Sequence, residues 1–176
     1  ALDYVLGYTI GNDVTARDRK AAEERYLRSY PFHPELTDVL YAKWTNIRGF
    51  QRTRGVLRIF ALALRDALTW DTAPLVSTNV FLSASAAADT DERAPLSPAA
   101  TELTTIATQQ EVEGVGQNWD AILAGELAKA REIQRDASGL SHRELEQAVM
   151  ATFLHSQPIS QKAATRDLFV LVGHTQ

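Results

Sequence analysis

The chain has 176 residues, with 18 Lys+Arg against 22 Asp+Glu, a net charge of −4 and no cysteine. That length suits one domain, or one domain and part of another, and is enough to bury a core without covalent staples. Without cysteine it can be neither a disulfide scaffold nor a thiolate zinc module. No apolar run approaches the roughly 20 residues a membrane helix needs. The opening ALDYVLGYTI lacks a basic leader and a small-residue cleavage pattern, so a soluble, cytoplasmic protein with no membrane partner is expected.

Residues 4–10 (YVLGYTI) have the β-branched and aromatic content of a strand, and Gly11-Asn12-Asp13 then signals a turn. From Thr15 to Ser29 the composition changes to Ala, Arg, Lys and Glu, which predicts a solvated helix ending before Pro31. Pro34 suits the first position of a second helix with Glu35 in its first turn. Leu36, Val39, Leu40 and Trp44 then give that helix one apolar face as far as Trp44.

Thr53–Leu68 is the strongest helical segment of the first half. Val56, Leu57, Ile59, Phe60, Leu62 and Leu64 cover most of its circumference, so the helix is expected to be largely buried. At about 100° per residue, Arg54, Arg58 and Arg65 fall within roughly 40° of one another on the remaining face, where burial would oblige them to find partners. Val80-Phe81-Leu82 reads as a short strand, and the Ala/Asp/Ser-rich residues 84–96 as a loop at a boundary.

Ser97-Pro98 is an N-cap and N1 pair opening a helix through about Gln109, with Leu103 and Ile106 inward. Gly114-Val115-Gly116 interrupts the chain. Trp119, Ile122, Leu123, Leu127 and Ile133 define a long helix ending near Arg135, closed by Ser138-Gly139. Ser141-His142-Arg143-Glu144 has the form of a capping box for a further helix carrying Leu145, Val149, Phe153 and Leu154. The tail Leu168–Val172 fits helix or strand, with Thr165 as N-cap and Asp167 favouring helix. The organisation is thus a short strand-turn segment at 1–20, a helical region at 21–83, a loop at 84–96 and a second helical region at 97–176.

The charge is uneven. Residues 1–72 carry 11 basic and 9 acidic side chains, whereas 73–176 carry 7 and 13, and no acid falls between Lys43 and Arg65. An acidic chain is a poor nonspecific coat for DNA, yet a local row of guanidinium groups can meet phosphate. None of the nine glycines falls in a P-loop frame, and Gly114-Val115-Gly116 is too short for a dinucleotide fingerprint. The chain therefore carries no phosphate cradle, and any nucleotide must be delivered by another element. His33, His142, His155 and His174 have no metal-site spacing and read as packing or surface residues, and no G-x-S-x-G elbow occurs. Asp13, Glu111 and Glu113 are carboxylates of the kind that hold Mg²⁺ or Ca²⁺, though such acids are ordinarily solvated.

Two resemblances add to this. YPFHPELTD (30–38) and FQRTRGVLR (50–58) resemble the signature of a family of large prokaryotic AAA-type ATPases known only as a domain of unknown function, and the likeness extends over residues 21–176. It implies a mainly α fold, with one or two short strands, equivalent to the helical lid and post-lid region of such an ATPase. The Walker motifs would lie upstream in a partner P-loop domain, ATP and Mg²⁺ would belong to the full-length protein, and nucleic acid is carried as a candidate partner of that protein. Gly55-Val56-Leu57-Arg58 resembles a sensor-2 arrangement, which makes Arg58 the nucleotide-binding residue and Arg54 its helper, with no catalysis expected of this chain alone. Separately, YVLGYTIGNDVTARD (4–18) is similar to the metal-binding segment of the fumarylacetoacetate hydrolase family, where Asp13 would be a metal ligand and Arg17 the motif arginine. That alternative implies a β-rich, metal-dependent enzyme. A third reading is a noncatalytic helical interaction module whose arginines serve only salt bridges.

Overall fold

The computed structural model describes residues 16–83, 96–112, 115–137, 139–140, 142–158 and 161–172. Seven α-helices lie among them: α1 (Ala16–Ser29), α2 (Pro34–Ala42), α3 (Arg52–Ala67), α4 (Pro98–Thr108), α5 (Trp119–Asp136), α6 (Glu144–His155) and α7 (Thr165–Leu171). Two 3-10 turns, Trp44–Asn46 and Thr78–Phe81, and a minimal antiparallel hairpin complete the regular structure. The hairpin pairs β1 (Glu111–Val112) with β2 (Val115–Gly116). The protein is mainly α, as the periodicity and the first resemblance both imply. The expected strand at 4–10 lies outside the described residues.

Local chemistry places the helix starts. His33 is the N-cap of α2, with Pro34 in the first turn and the His33 Nδ1 accepting the Glu35 N–H at 3.2 Å. With Nδ1 accepting, a neutral ring carries its proton on Nε2, which then donates to the Tyr26 hydroxyl 3.0 Å away and ties α1 to α2. Arg25 adds ion pairs to Glu35 and Asp38 across the same junction. Ser97 caps α4 as expected, accepting from Ala100 N while its own hydroxyl donates to Phe81 O at 2.6 Å.

One hydrophobic core draws on both halves of the sequence. Leu36, Leu40, Trp44, Ile59, Phe81, Leu103, Met150 and Leu154 are all essentially inaccessible within it. Trp44 packs against Phe50 and Phe153, with ring centroids 5.8 and 5.6 Å apart, and its indole N–H donates to Leu154 O at 3.0 Å. Lys43 donates to the next carbonyl, His155 O, at 2.8 Å. The last carbonyls of α6, which have no partner inside the helix, thus receive donors from the end of α2. At the other end of α6, Glu146 is 2% exposed and is gripped by Arg131 from α5 at 2.6 Å and by Arg143 in a two-bond fork. Arg143 also donates to Ser83 O and lies over the Trp70 ring.

Three local expectations are corrected. Val80-Phe81-Leu82 is not a strand: Thr78–Phe81 forms a 3-10 turn, and the hydroxyls of Ser77 and Thr78 donate to Leu171 O. A short apolar run buried on all sides carries no period by which strand and turn can be told apart. The N-cap of α6 is Arg143 at φ +60, not Ser141, which lies outside the described residues; the grip on Glu146 and Ser83 holds Arg143 there, and Glu144 accepts from His142 N. The tail is helical, but its N-cap is Ala164 rather than Thr165, with Asp167 accepting the Ala164 N–H at 3.3 Å.

Gly55 is required where the loop ahead of α3 turns back on the helix. A Cβ on it would stand 1.6 Å from Phe50 O, and backbone cannot yield as a side-chain tip can. Alanine is the better helix former by about 1 kcal/mol, but overpacking of this kind costs up to about 3 kcal/mol. Gly55→Ala is therefore expected to lower unfolding free energy by about 2 kcal/mol in urea titrations; equal or greater stability would contradict this close approach.

Candidate functional site

The candidate site is the outer face of α3. Val56, Ile59, Phe60, Ala63 and Ala67 are buried against the core, and Phe60 stacks on Phe32 at a centroid distance of 4.1 Å. These positions recur at three- and four-residue steps and root the helix by one stripe. Arg54, Arg58 and Arg65 are exposed on the opposite side, and Arg48 and Arg52, just before and at the start of the helix, are exposed as well. The chain enters α3 through two left-handed residues, Gln51 (φ 57) and Arg52 (φ 48).

The expectation of a largely buried α3 is thereby corrected. Leu57 is 62% exposed, and the arginine face meets water. Apolar residue types alone overstate burial here, because α3 packs on α2, α4 and the two 3-10 turns along one side. The arginines need no internal partners to be stable.

One of them has a partner nonetheless. Arg58 Nε lies 3.1 Å from Glu102 Oε1 and its Nη2 donates to Oε2 at 3.2 Å, so both carboxylate oxygens of the α4 residue occupy its fork. The Arg58 side chain is still 66% exposed, so the pair contributes at most about 1 kcal/mol. Arg54, one helical turn earlier, has no carboxylate partner among the described residues. The two residues singled out from the sequence therefore share a solvent-facing surface about 6 Å apart along the helix, one engaged and one open. Such a surface can bind an oxyanion presented from outside. Among the described residues, the one carboxylate paired with an arginine of this face is that of Glu102.

The other candidates add no described side chain to this face. Asp13 and Glu113 lie outside the described residues, and Glu111 opens β1 in the hairpin. No group of three or more His, Asp or Glu among the described residues is placed to hold a metal ion. The hydrolase alternative calls for a β-rich fold, whereas strands among the described residues are confined to the two-residue pair β1 and β2. No described helix is long and apolar enough to cross a membrane.

Two features escaped the sequence reading. Ile122 and Ile133, whose spacing helped to define α5, are 43% and 61% exposed. With Trp119, Leu145, Val149 and Phe153 they line an open apolar groove of about 590 Å³ between α5 and α6. The second is His155, which is buried, makes no hydrogen bond through either ring nitrogen among the described residues and has Nδ1 3.7 Å from Asp167 Oδ2. Burial, and then the positive charge of Lys43, hold its pKa below the ordinary imidazole value, while Asp167 and Glu35 pull the other way.

Comparison of the chain with protein-family models, with curated proteins and with solved structures finds no match.

The histidine gives a pH dependence of defined sign. Because the folded state resists protonation of His155, the unfolded chain binds the extra proton more readily. Stability should be unaffected by this residue above about pH 6.5, where the ring is neutral in both states. It should fall as pH drops below that value and level off once the lowered folded value is passed. Chemical denaturation across this range should show the decline in the parent and a flatter profile in His155→Gln; superimposable slopes would remove His155 as its source.

Proposed function

We propose that this chain is the helical, nucleotide-sensing lid of a larger AAA-type ATPase, in which Arg58, with Arg54 beside it, meets the terminal phosphate of ATP held by a partner P-loop domain. The observation that carries this reading is the arginine face of α3: exposed, drawn from an acid-free stretch, and rooted through the helix's other side in the common core. A guanidinium fork is suited to two phosphate oxygens at once, and a rigid helix delivers it without a large ordering cost. The mainly α architecture and the YPFHPELTD and FQRTRGVLR motifs point the same way. ATP and Mg²⁺ would be bound by the P-loop partner, and this chain would add positive charge where negative charge gathers on the phosphoryl group. The proposal assigns the protein to the cytoplasm, where ATP is supplied.

A noncatalytic interaction module is favoured by a different observation, the Arg58–Glu102 pair, which gives the arginine a structural occupation. The two readings separate experimentally. The isolated chain should show no sustained ATP turnover. In the full-length ATPase, Arg58→Ala should reduce turnover about a hundredfold while shifting the melting temperature little, because the residue is exposed. Unchanged turnover in that variant would favour the interaction module. Multiple turnovers by the isolated chain, abolished by Arg58→Ala, would overturn the assignment of the catalytic machinery to a partner.

A further inference from the structure

We infer that Glu102 is a built-in competitor for the phosphate that Arg58 is proposed to bind, so that the arginine is held in an occupied state until an anion displaces the carboxylate. The inference rests on the lid reading and adds a regulator to it.

Both Glu102 oxygens engage Arg58, through Nε at 3.1 Å and Nη2 at 3.2 Å. A planar two-oxygen acceptor in that fork occupies the directions that two phosphate oxygens would take, so carboxylate and phosphate cannot both be bound there. The exchange is feasible because Arg58 reaches across the surface to α4 instead of being enclosed: its side chain is 66% exposed, against 28% for Glu102. An exposed pair of this kind is weak enough for a multiply charged anion to break.

Arg54 supplies the bias. It lies one turn before Arg58 on the same face, exposed and without a carboxylate partner among the described residues. A phosphate chain attracted to Arg54 brings negative charge within reach of Arg58 and beside Glu102, where like charges repel. The bound anion therefore weakens the existing pair while offering Arg58 a replacement. Release also cuts the ion pair that links α3 to α4, so occupancy of the arginine face is reported to α4.

The test uses inorganic tripolyphosphate and ATP as separate probes, titrated by calorimetry into the parent chain, Glu102→Gln, Arg58→Ala and the double variant. Each protein is first checked by thermal melting, and Glu102→Ala serves as a second removal of the carboxylate. Glu102→Gln should bind tripolyphosphate about two- to fivefold more tightly than the parent, the gain expected from removing an exposed pair. The gain should vanish in the double variant. If Arg58→Ala weakens binding but neither Glu102 variant strengthens it, the competitor role is overturned and the phosphate role of Arg58 stands. If Arg58→Ala binds as the parent does, or no variant binds at millimolar probe, the competitor role is overturned. The lid reading, in which a partner holds the nucleotide, then stands or falls on the turnover of the full-length Arg58→Ala variant.

Discussion

The structure depends on burying α6 without leaving its polar ends unsatisfied. A helix end in the core exposes carbonyls or N–H groups that water cannot reach, and each one left unpaired costs about 1–3 kcal/mol. Here the solutions come from distant parts of the chain. Lys43 and Trp44, at the end of α2, donate to the carbonyls of His155 and Leu154. At the other end, buried Glu146 is neutralised by Arg131 from α5 and by its near neighbour Arg143. Once α6 is held in this way, α5, α7 and α2 can pack around it, and the aromatic group of Trp44, Phe153 and Trp119 fills the space between them.

That arrangement explains why α3 can present charge. The core requires only one stripe of α3, supplied by Val56, Ile59, Phe60, Ala63 and Ala67. Its remaining surface is released from packing duty and carries the arginines. The same division of labour appears on α5, where Leu123, Leu127 and Ala130 are buried while Ile122 and Ile133 border the open groove. On α3 the scaffold and the available surface are opposite sides of the helix, whereas on α5 they adjoin, since Leu123 and Ala130 line the same groove as Ile122 and Ile133. A surface built this way can change its side chains with little effect on folding.

Much of the helical framework was legible in the sequence because its signals are local. Pro34 and Ser97-Pro98 mark helix starts, and three- and four-residue apolar spacing marks the faces of α2 and α4. Which apolar face meets water was not legible, since Leu57, Ile122 and Ile133 have the same residue types whether or not another helix covers them. Long-range polar pairs were equally hidden. The spacing of Arg54 and Arg58 could be read from helical geometry, but Glu102 stands 44 residues from its arginine, and nothing in the spacing announces the contact. The cap of α6 shows a related failure: the S-x-x-E pattern at Ser141 was outweighed by the tertiary demands on Arg143.

Two anchors flank residues 84–95. Ser83 is held through its carbonyl by Arg143, and the Ser97 hydroxyl is bonded to Phe81 O at 2.6 Å, so the chain leaves and re-enters the core at nearly the same place. Each end keeps its place in the core through a bond of its own, one made by Arg143 and the other by Ser97. Because the Ser97 hydroxyl serves the 3-10 turn and the start of α4 at once, one side chain fastens both elements, and its loss would loosen them together.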